Sequence, residues 1–145
     1  MSKPDFNLED FLPYRLSVAA NKVSKRIAKT YVPYKLSRTQ WRVMAVLTSC
    51  QHMTAQMVAD KTGMDKTTVS RAVGKMLERG LINRGASEQD GRSAPLSLSA
   101  EGRAMFAKIA PEALRQEQDL KNMFSDEDLD MLASFLNKLL DDHEQ

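Results

Sequence analysis

The sequence predicts a mainly helical chain with one small β-wing, and three observations carry that expectation. Apolar residues recur at helical spacing along most of its length. Gly and Pro are scarce, at six and five of 145 residues. Asp90-Gly91, a strong two-residue turn signal, separates the two short runs that fit strands. A chain of this length can bury a proper core as one domain. Apolar residues make up 42% and charged residues 28%, the balance of a globular chain rather than a disordered one. No apolar run approaches the length of a membrane span. The polar, acidic N-terminus is unlike a signal peptide. The single cysteine excludes an internal disulfide, which agrees with the expected cytoplasmic location.

From Leu8 onward, Phe11, Leu12, Leu16, Ala19, Val23 and Ile27 fall on one face of a first helix ending near Tyr31, before Pro33. Pro13 belongs in its first turn or bends it. A second helix begins at Ser37, where Gln40 completes a capping box, and carries Trp41, Val43, Met44 and Leu47 to about Ser49. Two shorter helices follow, the first from Thr54 to Lys61 with a turn at Gly63, the second from Asp65 to Arg79-Gly80. Ala59, Gly63 and Val69 stand where a helix-turn-helix needs them: a small residue at the crossing, a glycine in the turn and a plug from the second helix.

Leu81-Ile82-Asn83-Arg84 reads as a short strand and Ala94 to Leu98 as its antiparallel partner. Gly85-Ala86 in the first and Pro95 in the second predict a short or irregular wing. Ser99 caps a long helix through Glu101, Met105, Ile109 and Ala113 to about Met123, with a kink expected at Pro111. Ser125-Asp126-Glu127-Asp128 opens a last helix, its acids at the positive end of the dipole. Leu129, Leu132, Leu136, Leu139 and Leu140 give it a wide apolar stripe. The first helix and the last two have little to pack on within one chain, and pairing them with a second copy would bury their stripes in a two-fold dimer. Intramolecular packing is the alternative.

A net charge of +2 conceals a lopsided distribution. Residues 1–100 hold 16 Lys+Arg against 8 Asp+Glu, and residues 101–145 hold 5 against 11. Charge alone is equally consistent with solvated surface; its coincidence with the helix-turn-helix points to nucleic acid. On a helical wheel, Val69, Ala72, Val73, Met76 and Leu77 form one face of the second short helix. Thr67, Thr68, Arg71, Gly74, Lys75 and Glu78 form the other. A helix so presented fits the major groove of double-stranded DNA, with the hairpin beside it near the backbone or minor groove. Arg71 suits the two acceptors of guanine, Thr67 and Thr68 a thymine methyl or a phosphate, and Lys66 and Ser70 phosphates. Arg92 at the hairpin tip suits a narrow minor groove, and Asp90 would hold it or Arg84 by an ion pair.

Other chemistries find little support. There is no phosphate loop or nucleophile elbow, and two isolated histidines make no triad, so no enzyme is expected. Cys50 and His52 do not face one another on a helix and His143 lies in the tail, so neither a metal nor another cofactor is expected. A redox response through Cys50 would require a partner thiol from a second subunit. A winged helix serving as a protein-interaction module is the remaining rival, although Arg71, Lys75 and Arg92 speak against it.

The chain resembles the MarR family, the multiple-antibiotic-resistance type of winged-helix regulators, from about Phe11 to Leu140. The resemblance rests on Trp41-Arg42-Val43-Met44, on Met64-Asp65-Lys66-Thr67-Thr68-Val69-Ser70-Arg71 and on Leu77 to Arg84. It rests equally on Asp90-Gly91-Arg92-Ser93 followed by Leu96-Ser97-Leu98-Ser99-Ala100-Glu101-Gly102. It implies a single MarR-like domain over 1–145, with a winged helix-turn-helix at 37–102 and dimerisation helices at 1–36 and 103–145. It further implies a homodimeric repressor that leaves a palindromic operator when a small, often aromatic or anionic effector binds between these parts. By position, Lys66 to Arg71 match the family's base- and phosphate-contacting stretch, and Asp90 with Arg92 its wing pair. Lys75, Arg84 and Ser93 complete the expected DNA-binding set. Tyr14, Arg15, Trp41, Arg42 and Met44 lie where the first two helices should meet the DNA-binding region. An aromatic wall with a guanidinium there would suit an aromatic carboxylate or its thioester conjugate. Trp41 and Met44 are equally readable as core, and Arg42 as a phosphate contact.

Overall fold

Five of the six helices begin at a side-chain cap that the sequence spells out, and those caps set the element boundaries. The computed structural model describes residues 5–86 and 94–142. Within them the order is a 3-10 turn at Leu8–Asp10, α1 Leu12–Tyr31, a 3-10 turn at Val32–Tyr34, α2 Arg38–Ser49, α3 Ala55–Thr62 and α4 Lys66–Glu78. Then come β1 Ile82–Arg84, β2 Leu96–Leu98, α5 Ala100–Lys121 and α6 Asp126–Leu140. Ser37, Thr54, Asp65, Ser99 and Ser125 each accept the backbone N–H three residues on. Each such cap contributes about 1 kcal/mol. At Ser37 the bond is reciprocated by Gln40, completing the expected capping box.

Helix α1 lacks a side-chain cap and corrects one expectation, because it starts at Leu12 rather than Leu8. The Pro13 ring has no N–H and would collide with the Glu9 carbonyl in a continuous helix. The chain therefore closes a separate turn at Leu8–Asp10, extends at Phe11 and restarts with Pro13 in the first turn. Pro111, in contrast, does not interrupt α5, which runs as one helix of 22 residues.

The core lies between α2, α4 and the wing. Val43, Met44 and Leu47 of α2 meet Val69, Val73 and Met76 of α4, joined by Val58, Leu81, Leu96, Leu98 and Ile109. Gly63, with φ 69, ends α3 in the left-handed conformation that the tight turn requires. Ala59 and Val69 are buried, as a close crossing of α3 and α4 demands. The wing strands are antiparallel with Ile82 opposite Leu98, Asn83 opposite Ser97 and Arg84 opposite Leu96. They are three residues each, in keeping with the interruptions at Gly85-Ala86 and Pro95. A third segment joins from outside: Leu96 N donates to Met53 O at 2.9 Å and His52 N to Leu96 O at 3.0 Å.

Helix α5 starts hard against the wing. Ser99 N donates to Leu81 O at 3.0 Å and Ser99 Oγ to Gly80 O at 2.6 Å. One turn on, a Cβ at Gly102 would overlap the Leu81 carbonyl oxygen. Further along, Arg26 Nε of α1 donates to Gln116 Oε1 of α5 at 3.1 Å. Helix α6 buries none of its residues. No helix of the described residues is long and apolar enough to cross a membrane. Because Gly102 faces backbone, Gly102→Ala is expected to destabilise the fold by about 3 kcal/mol. A lower urea midpoint at unchanged denaturant slope would show it; a loss under about 1 kcal/mol would mean that α5 can shift aside.

Candidate nucleic-acid interface

Asp65 sets the geometry of α4. Its Oδ2 accepts Thr68 N at 3.1 Å and Thr68 Oγ1 at 3.2 Å. The Thr68 hydroxyl is thereby engaged by the cap. Val69, Ala72, Val73 and Met76 are buried, whereas Lys66, Thr67, Thr68, Ser70, Arg71 and Lys75 are exposed. The sequence wheel and the burial pattern thus agree except at Gly74 and Leu77, both of which are half-buried. Gly74 is half-buried, with nothing within 4 Å of where a Cβ would stand. Gly80, with φ 72, turns the chain out of α4 into β1 and places exposed Arg84 beside the helix. Asp90, Arg92 and Ser93 lie outside the described residues.

Charge is distributed as a polyanion site requires. Among the described residues the ion pairs are Arg26–Asp119 at 3.9 Å, Arg115–Glu112 and Lys121–Glu117 at 3.5 Å, all on α1 and α5. The lysines and arginines of α4 have no acidic partner among those residues. Arg79, which no pattern in the sequence marks out for a role of its own, donates from Nη1 to Lys35 O at 2.8 Å and from Nη2 to Tyr34 O at 2.9 Å. It ties the end of α4 to the turn joining α1 and α2. Only the three-dimensional neighbourhood reveals it, because the partners are backbone carbonyls 44 and 45 residues away.

The five candidate effector residues are less coherent. Tyr14, Arg15 and Arg42 are exposed, and Met44 is sealed in the core. Trp41 stacks between Tyr31 and Phe106, at ring-centroid distances of 5.5 and 5.3 Å and interplanar angles of 11° and 18°. A cleft of about 300 Å³ between α2 and α5, with Leu47, Thr48, Leu98, Arg103 and Phe106 in its walls, includes none of the five. Neither does a larger one of about 600 Å³ beside α4. Among the described residues, no three His, Cys, Asp or Glu side chains gather where a metal would need them. Cys50 is a free, half-buried thiol at the C-cap of α2.

Residues 34–93 match the sequence profile of the MarR family. An organic hydroperoxide resistance transcriptional regulator of Bacillus subtilis is 31% identical over 122 residues, covering 81% of this chain and 82% of that one. The chain belongs to the MarR family. A MarR/EmrR family regulator from Acinetobacter sp. ADP1 superposes with a TM-score of 0.82 at 27% identity, covering 92% of this chain and 95% of that one. The transcriptional repressor CouR, solved on a 23-mer DNA duplex, gives 0.80 at 25% identity over 97% and 99% of the two chains. This MarR-family protein is a DNA-binding transcriptional regulator with a winged helix-turn-helix, and not an enzyme.

Gly74 gives a test of the helix itself. With open space around the site, Gly74→Ala is expected to raise stability by about 0.5–1 kcal/mol through helix propensity alone. A lower melting temperature would show that α4 is bent or crowded there.

Proposed function

We propose that this regulator is a homodimeric repressor that reads an inverted repeat through α4 and leaves it when a small organic anion binds. The carrying observation is the exposed face of α4, cationic and without acidic partners among the described residues, between a tight turn and a wing. Arg71 takes guanine through both its acceptors, and Thr67 and Thr68 meet thymine methyls. Lys66, Ser70, Lys75 and Arg84 hold phosphates, and Asp90, Arg92 and Ser93 serve the wing tip in the minor groove. CouR, described as a repressor and solved on a 23-mer duplex, supports this mode of action. A duplex of that length spans about two helical turns, enough for half-sites one turn apart.

The dimer reading rests on apolar surface that one chain leaves uncovered. Phe11, Leu12 and Leu16 of the N-terminal segment are exposed, as are Met123 and Phe124 in the turn after α5. On α6, Leu132, Phe135, Leu136, Leu139 and Leu140 are also exposed, Leu140 by 79%. So continuous an apolar stripe marks an interface rather than ordinary surface. For the effector, Tyr14, Arg15, Arg42 and the edge of Trp41 offer aromatic faces and guanidinium donors to an aromatic carboxylate, with Met44 as support from beneath. Such a ligand acts only through unequal affinity for the DNA-bound and free spacings of α4.

Selection from random duplex DNA near physiological salt tests this reading. The expected winners are inverted repeats with half-site centres about one turn apart, bound by a species that sediments as a dimer. Weak, sequence-blind binding that collapses with salt would instead favour a protein-interaction module. On the selected duplex, Arg71→Ala is expected to cost about 1–3 kcal/mol and to relax preference at one base position. Unaltered affinity and preference would remove Arg71 from the readout.

A further inference from the structure

The cleft of about 600 Å³ beside α4 joins the C-terminal half of that helix to the start of α2. Its apolar lining comes from Val32 and Leu36, while Lys35, Lys75 and Arg79 supply three cations against the single acid Glu78. Ser37 and Gln40, the capping-box pair, form the remaining wall. Gln40 is only 7% exposed. Its Oε1 accepts Ser37 N at 2.9 Å, and its amide nitrogen has no acceptor among the described residues. No buried side-chain polar atom of the described residues lacks a partner, so that nitrogen is open to the cleft rather than sealed. The cleft therefore holds a nearly buried amide donor with no acceptor among the described residues, at the positive end of α2, in a lining that also includes two ammonium groups and a guanidinium.

The geometry points to this cleft as a seat for a backbone phosphate of the same duplex that α4 reads, a contact beyond the recognition face. Donors outnumber acceptors there, which selects an anion. Lys75 belongs to both surfaces: it is exposed on the face that carries Arg71 and it lines the cleft. A helix lying in the major groove is flanked by both phosphate strands, and the strand passing its C-terminal half meets the start of α2. Arg79 holds the wall in place through the Tyr34 and Lys35 carbonyls, with Lys35 in the left-handed conformation at φ 61. Neutralising that phosphate adds counterion release without sequence preference, so the cleft strengthens binding to every duplex alike.

The inference rests on the DNA-reading proposal, and two variants test it separately. Lys35→Asn removes the charge while keeping a residue that tolerates left-handed backbone. Gln40→Glu preserves the capping box and suits the helix dipole, but replaces the open donor with an anion. Anisotropy titrations of the selected duplex across a salt series are expected to show each variant weakened by about tenfold or more near physiological salt. For Lys35→Asn the slope of log K against log salt should shrink by about 2 per dimer, one phosphate per half-site, with base preference and unfolding midpoint unchanged. Replacing single phosphates by methylphosphonates should reveal one flanking position whose neutralisation weakens the wild type and not Lys35→Asn. Tight wild-type binding with unaltered variants would overturn the cleft assignment alone; a wild type that binds no duplex would overturn the DNA reading itself. Inorganic phosphate raising the wild-type melting temperature but not that of Gln40→Glu, with DNA binding unchanged, would assign the cleft to a free anion and overturn the duplex reading.

Discussion

Everything this protein presents to DNA depends on how α2 grips α4. Val43, Met44 and Leu47 lock against Val69, Val73 and Met76, and each of the six is completely or almost completely removed from solvent. Close-packed interiors have discrete arrangements rather than continuous ones, so α4 cannot roll on its neighbour without opening a void. That fixes which of its side chains face outward. The remaining attachments orient this unit: Gly63 sets the angle of α3, Gly80 sends the chain into the wing, and Ser99 and Gly102 press α5 onto Leu81.

Much of this was legible in the sequence because it is local. Each cap is a short polar side chain followed three residues later by the amide it binds, and Ser37, Thr54, Asp65, Ser99 and Ser125 all announce themselves that way. The two faces of α4 follow from a 3.6-residue period, and the short wing from Gly85 and Pro95. The start of α1 is not legible from periodicity, because the apolar period continues through Leu8 although Pro13 forbids a continuous helix across it. The pairing of Met53 with Leu96 left no trace, since His52 adopts φ 65 without the glycine that ordinarily signals it.

The recognition set and the effector set differ for the same reason. The candidate recognition residues from Lys66 to Lys75 occupy one helix, whose spacing alone brings them together. Tyr14, Arg15, Trp41, Arg42 and Met44 come from two helices whose relative rotation the sequence does not specify. That rotation puts Met44 inside the core and turns Trp41 into a stack with Tyr31 and Phe106, leaving the rest on the surface. The Arg79 tie to Tyr34 and Lys35 is equally silent in the sequence, because backbone carbonyls carry no sequence signature.

The stack of Tyr31, Trp41 and Phe106 has one more consequence. Trp41 is the sole tryptophan of the chain, and its indole is clasped by one ring from α1 and one from α5, while it rides on the helix that grips α4. The protein thus carries a single indole where α1, α2 and α5 meet. Its emission is a native optical readout of that joint, undiluted by any other indole and available without labelling.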